Sequence, residues 1–308
     1  MNILGKRYLF FAISLLVIVP GLLVLAIGGL PLALDFTGGS LLEVSFPGAA
    51  QQPQPAEIIA LYNDLGVKDT QVQTTDVGSL VIRSTFLDDA TREQVLAALQ
   101  ERFGTKPTVV RFDSVGPTIG AQVTSRAALA VSVAALVVVL YITITFRGIA
   151  HSFRYGVCAI LAMIHDVAVV FSIAGLGALF LGWEMDSLFL TALLTVIGFS
   201  VQDKIVVFDR IRENSNILRR LDFETLVNHS VVQTLQRSIN TQLMTVEFLL
   251  LALALFGGVT LQEFSVLMLV GLFSGTYSSI FIAASVLVAW EKQEWKTWFG
   301  RNKAESAA

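Results

Sequence analysis

GFSVQDKIVVFDRIREN, residues Gly198–Asn214, joins an apolar segment to a cluster of charged side chains. The carboxylate of Asp203 lies inside the apolar part of this stretch. An ionisable residue at the centre of a membrane span costs about 3 kcal/mol or more, so such a residue is a functional-site candidate by default. We therefore expect the rest of the chain to hold Asp203, to give it polar partners and to couple its protonation to events outside the membrane.

The composition is typical of a polytopic helical membrane protein. Of 308 residues, 54% are hydrophobic and 15% are charged, and the mean hydropathy is +0.70. Soluble domains contain about 25% charged residues. A single cysteine, Cys158, excludes an internal disulfide, and three scattered histidines do not form a zinc ligand set. We expect no cofactor and no metal site.

Six apolar segments are each long enough to cross about 30 Å of hydrocarbon. They cover residues 8–32, 124–146, 153–182, 186–208, 237–257 and 264–290. The first segment is too long for a signal-peptide core of about 7–15 residues, so it is predicted to be a retained span.

Lysine and arginine lie on one side of the predicted spans, which sets the orientation. The residues concerned are Lys6, Arg7, Arg147, Arg154, Arg210, Arg212, Arg219, Arg220, Lys292, Lys296, Arg301 and Lys303. The short connections on the opposite side, 182–186 and 257–263, contain neither residue type. Both termini are therefore predicted to lie in the cytoplasm. Residues 1–34 comprise the cytoplasmic N-terminus and the first span, and residues 291–308 form the cytoplasmic tail. The loop at about 209–236, within the 116–290 region of spans two to six, is also predicted to be cytoplasmic.

Residues 35–115 form a predicted extracytoplasmic α+β domain. Alternating and capping patterns predict strands at Leu41–Phe46, Thr70–Thr75, Ser79–Thr85 and Thr108–Asp113, and helices at Pro55–Leu65 and Asp88–Phe103. This β-α-β-β-α-β order is that of the ferredoxin-like arrangement. Eleven acidic and six basic residues leave no footprint for nucleic acid.

One helical stripe of the fourth span carries Ala192, Val196, Ser200 and Asp203. Its small residues favour close approach of another helix. Lys204 projects about 100° away, and we expect it to extend towards the membrane interface; whether it pairs with Asp203 stays open. Asp203 is either a proton-binding group or a structural hydrogen-bond anchor.

His165 and Asp166 lie near the middle of the third span. Two adjacent titratable groups could relay protons, or they could be a buried polar pair that fixes the rotation of the helix. A metal site is disfavoured because no third ligand lies at a useful spacing.

Arg237 enters the fifth span, and Asn240, Met244 and Glu247 follow on nearly one face. An arginine beside an aspartate favours its ionised form, whereas desolvation favours its neutral form, and a protonation switch needs this competition. Arg237 could equally anchor the helix at the headgroups.

Three further patterns indicate structure rather than chemistry. The small residues Gly271, Gly275, Ser279 and Ala283 predict a helix-packing face. The mixed charges of residues 209–213 predict an ion-pair network within the loop. The DFTGG stretch is too short for a phosphate loop, and without a Walker sequence ATP chemistry is not expected.

Several stretches resemble the SecF branch of the SecD/SecF family of protein-export membrane proteins, in order and over nearly the whole chain. They are LDFTGGSLLEV (34–44), VGPTIG (115–120), HD (165–166), GFSVQDKIVVFDRIREN (198–214) and TLQRSINT (234–241). The fourth departs from the family's usual SINDTIVVFDRIREN at Val201, Gln202 and Lys204, and Glu247 stands where an uncharged residue is usual.

The resemblance implies a fold and a function. The fold is half of a pump like those of the resistance-nodulation-division superfamily, with six transmembrane helices. The function is that of an accessory Sec translocase subunit in a bacterial or archaeal cytoplasmic membrane, which uses the proton motive force to promote preprotein export and is not an enzyme.

The implied partners are SecD, the SecYEG translocon, SecA, YidC, YajC, the unfolded preprotein and membrane lipid. In the family the matching aspartate and arginine serve proton transport, which here would be Asp203 and Arg237. Asp166, His165 and Asn240 are further candidates.

Three other functions are compatible with an intramembrane carboxylate. A half-transporter for lipid or drug efflux would need larger outer domains than about 80 residues. An intramembrane enzyme built on His165 and Asp166 lacks a paired serine, cysteine or metal set. A purely structural assembly subunit would not need the charge of Asp203.

Overall fold

The computed structural model describes residues 2–47, 53–75, 78–147, 152–242 and 248–294. The chain divides into two compact units, residues 32–129 and the remainder, residues 1–31 with 130–308. The first is a small α+β unit, and the second is a helix bundle.

The helix bundle contains the long apolar helices. Its elements are α1 (Arg7–Gly28), the end of α5 (Pro117–Thr145), α6 (Ser152–Leu181), α7 (Ser187–Ile217), α8 (Phe223–Gln242), α9 (Phe248–Phe256), α10 (Gly258–Tyr277), a π-helical turn (Ser278–Ala283) and α11 (Ala284–Glu291). Five segments of the described chain are long and apolar enough to cross a membrane: Leu4–Gly28, Pro117–Thr145, Phe153–Leu181, Ser187–Ile217 and Leu261–Glu291. The chain is thus a multi-pass membrane protein. The predicted span 237–257, with Met244 and Glu247, overlaps residues 243–247, which lie outside the described residues.

Helices α6, α7 and α10 form the centre of the bundle. At least half of the residues in the most apolar window of each corresponding span are buried, whereas only 11% and 6% of the residues are buried in the windows of the spans of α1 and α5. An apolar face left exposed in this way suits contact with lipid or another membrane protein. The buried core, to which Ala162, Val196 and Leu272 belong, therefore lies between α6, α7 and α10.

Small residues let the helices approach closely, as predicted. A Cβ atom at Gly271 of α10 would lie 2.3 Å from Val196 Cγ2 of α7, and one at Gly275 would lie 3.4 Å from the Cα of Ser200. Ser279 and Ala283, on the same predicted face, are fully buried. The stripe of Ala192, Val196, Ser200 and Asp203 on α7 is buried as well.

The contact between α1 and α6 gives a first prediction. A Cβ atom at Gly21 of α1 would lie 2.0 Å from the backbone oxygen of Ser172, whereas one at Gly28 of the same helix would meet no atom within 4 Å. Backbone atoms cannot move aside as a flexible side chain can, so Gly21→Ala should separate the two helices. We expect it to lower the free energy of unfolding by about 1–3 kcal/mol, measured by denaturant titration in detergent. Gly28→Ala is the matched control, and equal losses in both variants would contradict the packing argument.

Helices α7 and α8 extend well beyond the predicted spans. The predicted cytoplasmic connection at about 209–236 is largely helical, because α7 continues to Ile217 and α8 begins at Phe223; its location stays a prediction. The charged residues there occupy one face, while Ile211, Val227 and Val231 are buried on the other. The predicted ion pairs do form, as helical i,i+3 pairs between Arg210 and Glu213 and between Arg212 and Asp209.

A cluster of charges ties α1, α8 and the end of α11 together. Arg7 pairs with Glu224 at 2.9 Å and with Glu294, and Lys292 also pairs with Glu224. The hydrogen bond donated by Lys292, helped by Arg7, holds the pKa of Glu224 below its ordinary value. Glu224 therefore adds stability when it is ionised.

This cluster predicts a pH-dependent effect of Glu224→Gln. Because the folded pKa is lowered, the contribution of Glu224 is present above its ordinary pKa and is lost as the pH falls through the lowered value. The charges are partly exposed, so each pair should contribute less than about 1 kcal/mol. Thermal unfolding at about pH 7 should separate the variant from the wild type, and the difference should shrink towards about pH 3. Glu101→Gln, at an exposed position of α4 (Asp89–Phe103), controls for the change in net charge. A difference independent of pH would contradict this account.

The α+β unit has the predicted order of elements. Strands β1 (Gly39–Ser45), β2 (Gln71–Thr74), β3 (Leu80–Ser84) and β4 (Thr108–Val115) form a four-stranded sheet in the order β2-β3-β1-β4, with antiparallel neighbours. Helix α2 (Leu34–Thr37) precedes β1, α3 (Pro55–Asp64) connects β1 to β2, and α4 connects β3 to β4. Asp88 caps α4 by accepting a hydrogen bond from the Thr91 backbone. The core of the unit includes Leu42, Ile58, Ile82 and Leu99.

The glycines of DFTGG have a structural role in this unit. Gly38 and Gly39 adopt positive φ angles of 71° and 114°, a region that favours glycine. A Cβ atom at Gly39 would lie 2.7 Å from the backbone oxygen of Ser84, and one at Gly120 would lie 2.8 Å from the backbone nitrogen of Gly38. The DFTGG and VGPTIG stretches therefore pack against each other through backbone atoms.

Candidate functional site

Asp203 lies inside the bundle between α7, α8 and α10. Asp203 is buried, with 6% of its surface exposed. Its Oδ2 accepts hydrogen bonds from Gln242 Nε2 at 3.2 Å and from Thr276 Oγ1 at 3.3 Å. Both donors are neutral, so within the described part of the chain the carboxyl group has polar neighbours from two adjoining helices and no directly bonded counter-charge.

Arg237 does not touch Asp203. Within the described residues no hydrogen bond or ion pair joins the two side chains, and the hydrogen bonds of Asp203 go to Gln242 and Thr276 instead. Arg237 is exposed and borders a cavity of about 400 Å³ whose lining also includes Asp209 and Arg210. The pairing of Arg237 with Asp203 stays a prediction.

The polar partner from α8 is Gln242 rather than Asn240. Asn240 is exposed, whereas Gln242 is 4% exposed and donates to Asp203. The two residues are two positions apart, which places them about 200° apart around a helix. A role for Asn240 in proton transport stays a prediction without a contact to Asp203.

Asp166 is the most highly coordinated side chain in the bundle centre. It is fully buried, and its two oxygens accept hydrogen bonds from five side chains. These are Lys204 at 2.7 Å, Ser200 at 2.7 Å, Ser278 at 2.7 Å, Ser274 at 2.8 Å and His165 at 3.1 Å. A buried carboxylate with this many donors is stabilised in its ionised form.

Lys204 supplies the counter-charge of Asp166. The expectation that Lys204 extends to the membrane interface is wrong, because the residue is fully buried and its Nζ donates to Asp166 Oδ2. The ammonium group also donates to the hydroxyl of Ser200 at 2.6 Å and to its backbone oxygen at 3.1 Å. Lys204 turns inward because a carboxylate on α6 stands opposite its position on α7, and a close pair offsets the desolvation of both charges.

His165 extends this network towards α1. Its Nδ1 lies 3.1 Å from Asp166 Oδ1, and its Nε2 lies 2.8 Å from Ser14 Oγ. In a neutral imidazole, Nδ1 donates to the carboxylate and Nε2 accepts from the serine hydroxyl. The ring also stacks on Tyr277 of α10. This arrangement fits both a relay and a fixed polar pair.

Helix α10 and its π-helical turn connect the two carboxylates. Ser274 and Ser278 donate to Asp166, and Thr276, which lies between them, donates to Asp203. The π-helical turn begins at Ser278, and such turns often occur at functional sites. A shift of this segment would therefore change the hydrogen bonds of both carboxylates.

Each carboxylate has a partner that borders an apolar cavity. Gln242 and Thr276 line a cavity of about 260 Å³. Ser14 and His165 line another, of about 210 Å³, on the α1 side. Among the described residues, no group of three or more histidine, cysteine, aspartate or glutamate side chains could hold a metal ion. Carboxyl and imidazole groups such as these can bind and transfer protons.

The site contains residues that the sequence pattern did not single out. Gln242, Thr276, Ser274, Ser278 and Ser14 all donate to, or bond with, the titratable groups. The available signal was the run of hydroxyl residues at 274, 276, 278 and 279 inside an apolar span. That run indicates helix packing as readily as proton chemistry.

Comparison with known proteins gives consistent matches. The family profile described as protein export membrane protein SecD/SecF, C-terminal, matches residues 95–293, and the SecD/SecF GG motif matches residues 23–46. The chain is 65% identical over 308 residues to protein translocase subunit SecF of Anaerolinea thermophila, with 100% of both chains covered.

Some relatives are longer, and this chain matches only one region of them. It is 41% identical to protein translocase subunit SecDF of Thermus thermophilus over 203 residues, which is 66% of this chain and 25% of that protein. The crystal structure of SecDF from Thermus thermophilus, described as a translocon-associated membrane protein, superposes with a TM-score of 0.75 at 33% identity. That match covers 95% of this chain and 39% of the other.

Proposed function

Because the chain belongs to the SecD/SecF family of protein-export membrane proteins, we propose that it acts as a SecF-type translocase subunit driven by the proton motive force. The observation that carries this proposal is the environment of Asp203, which is buried and, among the described residues, accepts hydrogen bonds from the neutral donors Gln242 and Thr276. Such a carboxyl group can gain and lose a proton without leaving a bonded counter-charge unpaired.

The energy available from one proton is sufficient for a conformational step. A charge that crosses about 150 mV releases about 3.5 kcal/mol, and a shift of 5.5 kcal/mol takes an equilibrium from about 1:99 to about 99:1. The energy of one proton, about 3.5 kcal/mol, is smaller than this, and it can take an equilibrium between two packings of the bundle from about 5:95 to about 95:5. We infer that Arg237, Asp166, His165 and Asn240 take part in the proton path, with Asp203 as the group that binds the proton.

The conformational step is assigned to the contact of α10 with α6 and α7. Protonation of Asp203 removes a charge that Gln242 and Thr276 solvate, and Thr276 lies on the same helix as the two serines that bind Asp166. Gly271 and Gly275 bring α10 into close contact with α7, and we place the shift at this contact. The 32–129 unit is joined to the bundle through the chain at α1 and α5, so movement of these helices reaches it.

The surroundings of the subunit follow from its relatives. The SecDF proteins of Thermus thermophilus and Bacillus subtilis carry the SecD and SecF names on one chain, which supports SecD as the companion half. We propose six spans, with the fifth built from the end of α8 and from α9, and a cytoplasmic-membrane location with both termini inside. The α+β unit, with its ferredoxin-like order of elements, would lie outside. SecYEG, SecA, YidC, YajC, preprotein and lipid complete the proposed partners.

The test is an export assay that separates proton-driven export from ATP-driven export. Membrane vesicles from cells that lack their own SecD and SecF would receive this chain together with its own SecD. We expect the pair to restore the part of preprotein translocation that disappears when the proton gradient is collapsed. Vesicles with SecD alone are the control. If translocation is the same with and without this chain while the gradient is intact, the proposed function is wrong.

A further inference from the structure

The ammonium group of Lys204 lies in a cage of oxygen atoms at the centre of the bundle. Its Nζ is 2.6 Å from Ser200 Oγ, 2.7 Å from Asp166 Oδ2 and 3.1 Å from the backbone oxygen of Ser200. The residue has no exposed surface. A carboxylate, a hydroxyl and a backbone carbonyl thus surround one positive charge.

These are the ligand types that alkali cations prefer. Hard cations bind carboxylate, hydroxyl and carbonyl oxygens, and backbone carbonyls can replace the hydration shell of K⁺. A further hydroxyl is at hand, because Ser278 Oγ also lies 2.7 Å from the same Asp166 oxygen. The cage therefore has the oxygen chemistry of a metal-ion site, although a side chain of the protein occupies it.

The charge of the cage fits a monovalent ion. Among the described residues, Asp166 is the carboxylate that contacts the ammonium, and α1 contributes the hydroxyl of Ser14 through His165. The other buried aspartate of the described bundle, Asp203, is directed to Gln242 and Thr276. From α10 the facing groups are the hydroxyls of Ser274 and Ser278 and the ring of Tyr277, which stacks on His165. A monovalent ion would balance Asp166, whereas a divalent ion would leave a buried net charge.

We propose that Lys204 is a tethered cation: its ammonium fills a site that would otherwise bind Na⁺ or K⁺, and it thereby closes the buried carboxylate of Asp166 to metal ions. The consequence is ion specificity, because the bundle centre then exchanges no cation other than the proton. This inference concerns ion binding and goes beyond export, so its test does not depend on the proposed function.

Two substitutions at Lys204 distinguish the effect of its positive charge from the effect of the volume that its side chain fills. Lys204→Ala removes the ammonium and leaves room for an ion and water, whereas Lys204→Met removes the charge but keeps the cage filled. We expect the purified full-length alanine variant to bind ²²Na⁺ or ⁸⁶Rb⁺ (a stand-in for K⁺) stoichiometrically and saturably. The wild type and Lys204→Met should bind neither ion above background. Adding Asp166→Asn to Lys204→Ala should abolish binding, since it removes the balancing charge.

Infrared spectroscopy gives an independent reading of the same site. In Lys204→Met, Asp166 has lost its counter-charge and should be neutralised by a proton, which gives a carboxylic-acid C=O band. In Lys204→Ala this band should weaken when choline chloride is replaced by NaCl or KCl, because the metal ion displaces the proton. Lys204→Met should not respond to this exchange.

The outcomes decide the proposal in both directions. Saturable binding in Lys204→Ala that depends on Asp166 supports it. Binding of either ion to wild-type Asp166 would overturn it, as would a folded Lys204→Ala variant that binds neither ion and keeps its C=O band in salt. If the alanine variant does not fold, Lys204→Ser is the second variant, because serine is also small and adds a hydroxyl ligand. The binding and infrared results expected for Lys204→Ala are then expected for Lys204→Ser, and the same failures would overturn the proposal.

Discussion

Replacing Asp166 by asparagine is expected to lower the free energy of unfolding of the bundle by about 3–5 kcal/mol. The substitution leaves the Lys204 ammonium fully buried without its counter-charge, and an unpaired charge in a low-dielectric interior is strongly destabilising. Folded proteins are stable by about 5–15 kcal/mol, so a loss of this size is large. Denaturant titration of the purified protein in detergent measures it.

A double variant separates the ion pair from other effects of the substitution. Asp166→Asn with Lys204→Met removes both charges and keeps nearly the same volume, and replacing both partners of a buried pair is often close to neutral. We therefore expect the second substitution to recover most of the loss. If the single variant loses less than about 1 kcal/mol, or if the double variant is no more stable than the single one, the pair does not hold the bundle together.

Asp203→Asn is expected to abolish proton-driven export while leaving the fold and the assembly with SecD intact. The asparagine carbonyl can accept the hydrogen bonds of Gln242 and Thr276 that now reach Asp203 Oδ2. The loss of stability should therefore stay below about 1 kcal/mol. An amide, however, does not gain or lose a proton at physiological pH. The measurement is translocation in vesicles with and without a proton gradient, together with co-purification of SecD.

Asp209→Asn is the matched control for this variant. Asp209 lies on the same helix, six residues later, and forms an exposed i,i+3 pair with Arg212. The same chemical change there should leave the gradient-dependent part of export unchanged. Gradient-dependent export that persists in Asp203→Asn vesicles with normal SecD content would remove Asp203 from the mechanism.

The two carboxylates differ because their donors differ. Asp166 accepts from five side chains, one of them a lysine with no exposed surface, so its protonation would leave that ammonium uncompensated. Asp203 accepts from one amide and one hydroxyl, which can bond a neutral carboxylic acid as well as a carboxylate. This contrast supports the proposal that Asp203, rather than Asp166, is the group that binds the proton.

Features set by local patterns could be predicted from the sequence. The burial of Asp203 follows from its stripe with Ala192, Val196 and Ser200, because helical periodicity alone places these residues on one face. The elements of the α+β unit follow in the same way from alternation in the strands and from the capping pattern at the start of α4. Such patterns depend on neighbours in sequence, so no knowledge of packing is needed.

Features set by helix packing could not be predicted. The inward turn of Lys204 depends on the register of α7 against α6, which places Asp166 opposite it. Likewise, Gln242 rather than Asn240 meets Asp203, because the rotation of α8 against α7 decides which polar residue of that run is buried. The extents of α7 and α8 beyond the apolar segments were missed because a charged exposed face concealed the buried face with Ile211 and Val227.

The most direct test of the central claim, that Asp203 binds and releases the transported proton, is infrared difference spectroscopy of oriented proteoliposomes that contain the chain and its SecD. The wild type should show a carboxylic-acid C=O band that grows when an inward proton gradient is imposed and disappears when the gradient is collapsed. The band should be missing in Asp203→Asn. A gradient-dependent band that persists in Asp203→Asn, or a wild-type spectrum that does not respond to the gradient while export proceeds, would contradict the account.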